Sequence, residues 1–146
     1  MNRWYFLIIV VLVSLVGYVF GGIFYDSFNL TNQSLWKEIQ QWRHSEGLPY
    51  YTLDKTLCEW ADKRLDDIKQ ENPPTHKSFY ERLNLYPYKG EMGENLSWGI
   101  ASETKTLEGW LNSPSHAKLL RKDYEYSCIK THGTLAVQLF FNYDEK

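Results

Sequence analysis

A chain of 146 residues with a formal charge of −2 has the length of about one domain, and its lack of basic runs argues against a nucleic-acid partner. Six Trp, eleven Tyr and seven Phe suit a small domain that fills its core with large side chains. Without its first apolar segment the chain retains roughly 120 residues, a size at which a covalent staple helps a modest core.

Trp4 to Tyr25 is an uncharged apolar run of 22 residues, enough to cross a bilayer as a helix of about 20 residues. Arg3 precedes it and Asp26 follows, a bias that keeps the N-terminus inside and the domain outside. Residues 1–25 are therefore expected to be a signal anchor, a single transmembrane helix. The competing reading is a cleaved signal peptide, with Val19 and Gly21 at the −3 and −1 positions and a secreted product. The apolar run continues past that site through Ile23, Phe24 and Tyr25, which favours the anchor. Both readings export the domain.

Residues 26–31 form a polar spacer, and the domain proper occupies 32–146. A helix is expected from Asn32, with Leu35, Ile39 and Trp42 at helical spacing and Gly47 placed to end it. Asp54 is a good N-cap for a second helix, whose apolar face comprises Leu57, Trp60, Ala61, Leu65 and Ile68. Pro73-Pro74 is expected to stop it. A short helix follows near Ser78 to Leu83, then an aromatic loop with Pro87 and Gly90, then a helix over Glu103 to Asn112. The tail alternates from Tyr124 to Lys130 and again from Thr134 to Phe141, a hairpin turning at His132-Gly133. Helices first and strands late predict an α+β fold.

The chemistry gathers between Gly93 and His116. Gly93-Glu94-Asn95-Leu96 places a carboxylate and an amide beside a glycine, as suits a strand edge or tight turn near a site. Downstream, Trp110-Leu111-Asn112-Ser113-Pro114-Ser115-His116 carries a Trp-bearing helix into a proline and an imidazole. With these residues the chain resembles the CAP superfamily, in its bacterial SCP-like branch. The resemblance extends to Ile39-Gln40-Gln41-Trp42-Arg43 through Gly47-Leu48, Leu53 to Leu57, His76 to Leu83, and Val137-Gln138-Leu139-Phe140. It covers most of residues 33–142 in the family's order. It implies an α-β-α sandwich behind the transmembrane helix, with His76, Glu94 and His116 lining a central cavity.

Alone, His76 reads as an exposed residue after a Pro-Pro turn, His116 as a helix-start residue bonded to a carbonyl, and Glu94 as a brace for its loop. Together, as the resemblance implies, they form a coherent set. Two neutral imidazoles, His76 and His116, suit zinc or another divalent cation, while Glu94 serves as a further ligand or orients an imidazole. Asn95 is expected to fix its loop through backbone hydrogen bonds. One departure stands out. Many family members carry a second acid shortly after the helix Trp, but Leu111, Asn112, Ser113 and Pro114 follow Trp110 here. Glu108 points to another face, so no fourth site residue is assigned. His44 and His132 belong to no motif and are expected at the surface.

Cys58 and Cys128 are the only cysteines. In an exported domain they are expected to pair, the alternative being two buried free thiols. Three Asn-X-Ser/Thr triplets, at Asn29, Asn32 and Asn95, matter only in a cell that glycosylates its exports, and no glycan is assigned. Three function classes follow. The first is a membrane-tethered binding module for an extracytoplasmic lipid, cell-wall polymer, peptide or protein. The second is a metal-assisted hydrolase of peptidase type, with Glu94 as the catalytic base. The third is a structural surface protein. The lack of a second acid favours the binding module.

Overall fold

The computed structural model describes residues 31–144. The expected anchor and all but the last residue of the spacer lie outside them. Among the described residues no helix is long and apolar enough to cross a membrane.

Helix α1 (Asn32–Ser45) starts where the Thr31 hydroxyl accepts from the Ser34 N–H at 3.1 Å, and Gly47, at φ +72°, turns the chain out of it. Helix α2 (Lys55–Ile68) is capped as anticipated, the Asp54 carboxylate accepting from the Leu57 N–H at 2.7 Å. It ends at Ile68, short of Pro73-Pro74, so the prolines shape the connection and do not stop the helix. Helix α3 (Lys77–Leu83) leads to strand β1 (Gly90–Ser97), which is followed by helix α4 (Glu103–Asn112). Helix α5 (Pro114–Arg121) was anticipated only as the helix start read at His116, with no extent given to it. Pro114 begins it, at the first-turn position where a missing N–H is harmless. Strands β2 (Tyr126–His132) and β3 (Leu135–Tyr143) form the terminal hairpin. Its turn lies at Gly133-Thr134, one residue later than expected, with Gly133 at φ +59°.

The three strands form one antiparallel sheet in the order β1-β3-β2, so β3 is central and β1 is an edge. Alternation along β3 divides the core in two. Ala136 and Phe140 face Leu35 and Ile39 of α1, Leu107 and Trp110 of α4, and Leu120 of α5. Val137, Leu139 and Phe141 face Leu57, Ala61, Leu65 and Ile68 of α2, and Phe79 of α3. Helices therefore cover both faces of the sheet. The staple joins two layers: Cys58 of α2 is bonded to Cys128 of β2, with Cα atoms 5.2 Å apart.

Candidate functional site

Glu94 and Asn95 are adjacent on the edge strand, so their side chains leave it on opposite faces. Glu94 projects with Met92 and Leu96 toward α2 and α3, where its Oε1 lies 2.7 Å from Nδ1 of His76. Asn95 projects toward α5, and its Nδ2 donates to the backbone carbonyl of His116 at 3.3 Å. Each neighbour thus holds a histidine-bearing element, one on either side of the strand. The imidazoles meet beyond the sheet edge with ring centroids 6.2 Å apart, tilted by 53°. His76, Glu94 and His116, separated in sequence by up to 40 residues, share one cleft of about 310 Å³. Ser115 adds to its polar side; Phe79, Leu83, Met92 and Leu119 give it an apolar wall.

Gly93 allows the close approach of α5. A methyl group there would meet Leu119 Cδ2 at 2.9 Å and the Tyr124 hydroxyl at 3.2 Å. Trp110, almost wholly buried, fixes α4 to the same strand by donating from Nε1 to the Leu96 carbonyl at 3.1 Å. The motif residues therefore combine display with bracing: Glu94 and His116 face the cleft, whereas Gly93, Asn95 and Trp110 hold the frame.

The electrostatics separate the three polar groups. Burial, reinforced by repulsion from the neighbouring His76, holds His116 below the ordinary imidazole value and so favours the neutral ring, in which one nitrogen keeps its lone pair. His76 is the more open, with 39% of its side chain exposed against 1% for Glu94. The Glu94 oxygens are committed. Oε2 accepts from Arg64 Nε at 2.5 Å, and Oε1 accepts from Arg64 Nη2 at 3.3 Å besides its contact with His76. Both Glu94 oxygens thus already accept hydrogen bonds, and the contact with His76 is of the kind that orients an imidazole.

The donor set also limits a metal. Among the described residues no group of three or more His, Cys, Asp or Glu side chains is placed to hold one. Two imidazoles remain. At zinc–nitrogen distances of 2.0–2.1 Å and a tetrahedral angle the centroids of two imidazoles lie about 5 Å apart, against the 6.2 Å observed.

His44 and His132 are exposed, as expected, and Glu108 points to solvent. The sequence reading missed Arg64, whose side chain is only 2% exposed. Its signal was present: Arg64 lies among Leu57, Ala61, Leu65 and Ile68 on the apolar stripe of α2, where a charge requires a buried partner.

Comparison with known proteins agrees with this architecture. In sequence, the chain is 29% identical over 83 residues to the uncharacterized protein YkwD of Bacillus subtilis, a match covering 52% of this chain and 32% of that protein. It thus spans about a third of the length of that curated relative. In structure it resembles an outer surface protein from Borrelia burgdorferi, with a TM-score of 0.68 and 25% identity over 77% of this chain and 92% of that one. It also has the fold of an extracellular protein containing a SCP domain from Bacillus anthracis, with a TM-score of 0.67 and 23% identity over 75% and 39% of the two chains. The profile of the cysteine-rich secretory protein family matches residues 36–129, which take in most of both helical layers, all of β1 and the start of β2, and the chain belongs to that family, CAP.

Proposed function

We propose that the chain is an extracytoplasmic binding module, tethered by residues 4–25, whose sheet-edge cleft receives a ligand or partner between α3 and α5. The observation that carries this reading is the pairing of two imidazoles at one cleft while the adjacent carboxylate is fully engaged by Arg64 and His76. That arrangement suits holding a group better than activating water. The apolar wall suits a ligand with an apolar part whose polar end meets the histidines. Export accords with the descriptions of the two structural relatives, one an outer surface protein and the other extracellular.

A divalent cation such as zinc belongs to the same proposal, with His76 and His116 as its protein ligands. Bound there, it supplies a positive centre for an anionic oxygen of the ligand. Titration of the full chain in detergent with zinc, followed by calorimetry, tests the cation. His116→Ala should abolish binding and leave thermal stability nearly unchanged, because the ring lines the cleft and the core lies elsewhere. Binding should fade as pH falls below about 6.5, the ordinary imidazole value, since coordination needs neutral imidazoles and His116 lies under that value. Equal zinc affinity in wild type and His116→Ala would refute the cation site.

A further inference from the structure

Arg64 projects from the buried stripe of α2, and each of its five N–H donors has a partner. Nε and one Nη2 hydrogen reach Glu94, at 2.5 and 3.3 Å. The other Nη2 hydrogen reaches the Thr75 carbonyl, and Nη1 reaches Glu71 Oε1 at 3.2 Å and Ser78 Oγ at 2.7 Å. One rigid planar group therefore ties the edge strand to residues 71–78. His76 lies within that segment, between two partners of the guanidinium, and contacts a third, Glu94, through Nδ1 at 2.7 Å.

This connection has a chemical consequence. A carboxylate beside a buried guanidinium is ionised and only accepts hydrogen bonds. The nitrogen 2.7 Å from it must therefore carry the proton, and in a neutral imidazole the other nitrogen then keeps its lone pair. We infer that Arg64 is a positioning residue that fixes neutral His76 as the Nδ1–H tautomer and so offers Nε2 to whatever occupies the cleft. Lysine cannot replace it, because an ammonium group cannot span Glu94, Glu71, Ser78 and Thr75 in a planar fork.

The inference deepens the binding reading but is tested on protein without ligand. The full chain is labelled with ¹⁵N, held in detergent, stripped of metal with a chelator and kept at about pH 8, above the ordinary imidazole range. Long-range proton–nitrogen correlations then report the state of each ring nitrogen. Wild type should show a pyrrole-like Nδ1 and a pyridine-like Nε2 for His76. Arg64→Lys should lose this fixed state and give the mixed shifts of exchanging tautomers. If Arg64→Lys does not fold, Arg64→Gln combined with Glu71→Gln removes one positive and one negative charge together and takes its place. A purely structural arginine would lower the melting temperature in these variants and leave the His76 shifts of the folded fraction untouched. That result would overturn the inference, as would an Nε2–H or averaged signal in wild type, which needs no variant. Failure to bind zinc would count against the binding reading and leave the tautomer result standing.

Discussion

Four donors converge on the Glu71 carboxylate: the Thr75 N–H at 2.6 Å, the Thr75 hydroxyl at 3.1 Å, Arg64 Nη1 at 3.2 Å and the Ser78 hydroxyl. Burial opposes its charge, but the bonds from Ser78 and Thr75, with the attraction of Arg64, prevail and bring it down to about 2. A carboxyl depressed on folding stabilises the protein above its unfolded value and loses that contribution as pH falls. The wild-type melting temperature should therefore drop as pH falls from about 4.3 toward 2, and Glu71→Gln should flatten that limb while lowering stability at pH 7. Thermal unfolding followed from pH 2 to 7 decides it; parallel curves for the two proteins would mean the contacts are absent in solution. Two glycines allow a contrast at the same scale. A methyl group on Gly90 would overlap the backbone carbonyl of Asn142, which cannot yield without breaking the β1–β3 ladder. On Gly93 it would meet the movable ends of Leu119 and Tyr124. Gly93→Ala should cost about 1–3 kcal/mol, as overpacking does, and Gly90→Ala more. Urea unfolding that ranks them the other way would contradict the β1–β3 register.

Between elements, the strongest single constraint is the disulfide from α2 to β2, which closes a separation of 70 residues. In the chain-entropy model such a loop stabilises by about 4 kcal/mol, so Cys58→Ala with Cys128→Ala should lose an amount of that order in chemical denaturation. A loss below about 1 kcal/mol would mean that packing of α2 against β2 and β3 holds this layer unaided. The elements differ in how plainly their residues announce them. Periodicity made α1 legible, and a cap with an apolar stripe made α2 so; in the structure Thr31 and Ser102 prove to be caps as well, each accepting a backbone N–H of the first turn as Asp54 does. Helix α5 was not legible in the same way. It has eight residues and follows α4 across Ser113 alone, so Pro114 reads as an end although it is a beginning. The histidines and Glu94 were legible as a motif, whereas Arg64 announced itself only as a charge on the apolar stripe of α2, with nothing in the sequence to name its partners. Long-range partners such as Glu71 and Ser78 leave no periodic trace, and only the fold brings them to one guanidinium.

At the scale of the whole molecule, the point of entry bears on the proposed anchoring. Thr31 caps α1 and also donates its N–H to Glu103 Oε1 of α4 at 3.2 Å, so the chain joins the folded body at its first described residue. Only residues 26–30 separate that point from the charge-free run of residues 4–25. Even fully extended, they reach about 20 Å. In the anchored form proposed above, the domain would stay beside the bilayer surface and its cleft would sample what lies within that layer. We therefore expect the protein to remain with membranes washed at high pH, and protease added to intact cells to degrade the domain. The two measurements separate anchoring from export. Retention after washing with no protease sensitivity would reverse the expected orientation. Recovery of a soluble form beginning near Gly22 would remove the anchor and leave export standing, and the cleft would then act at a distance from the membrane.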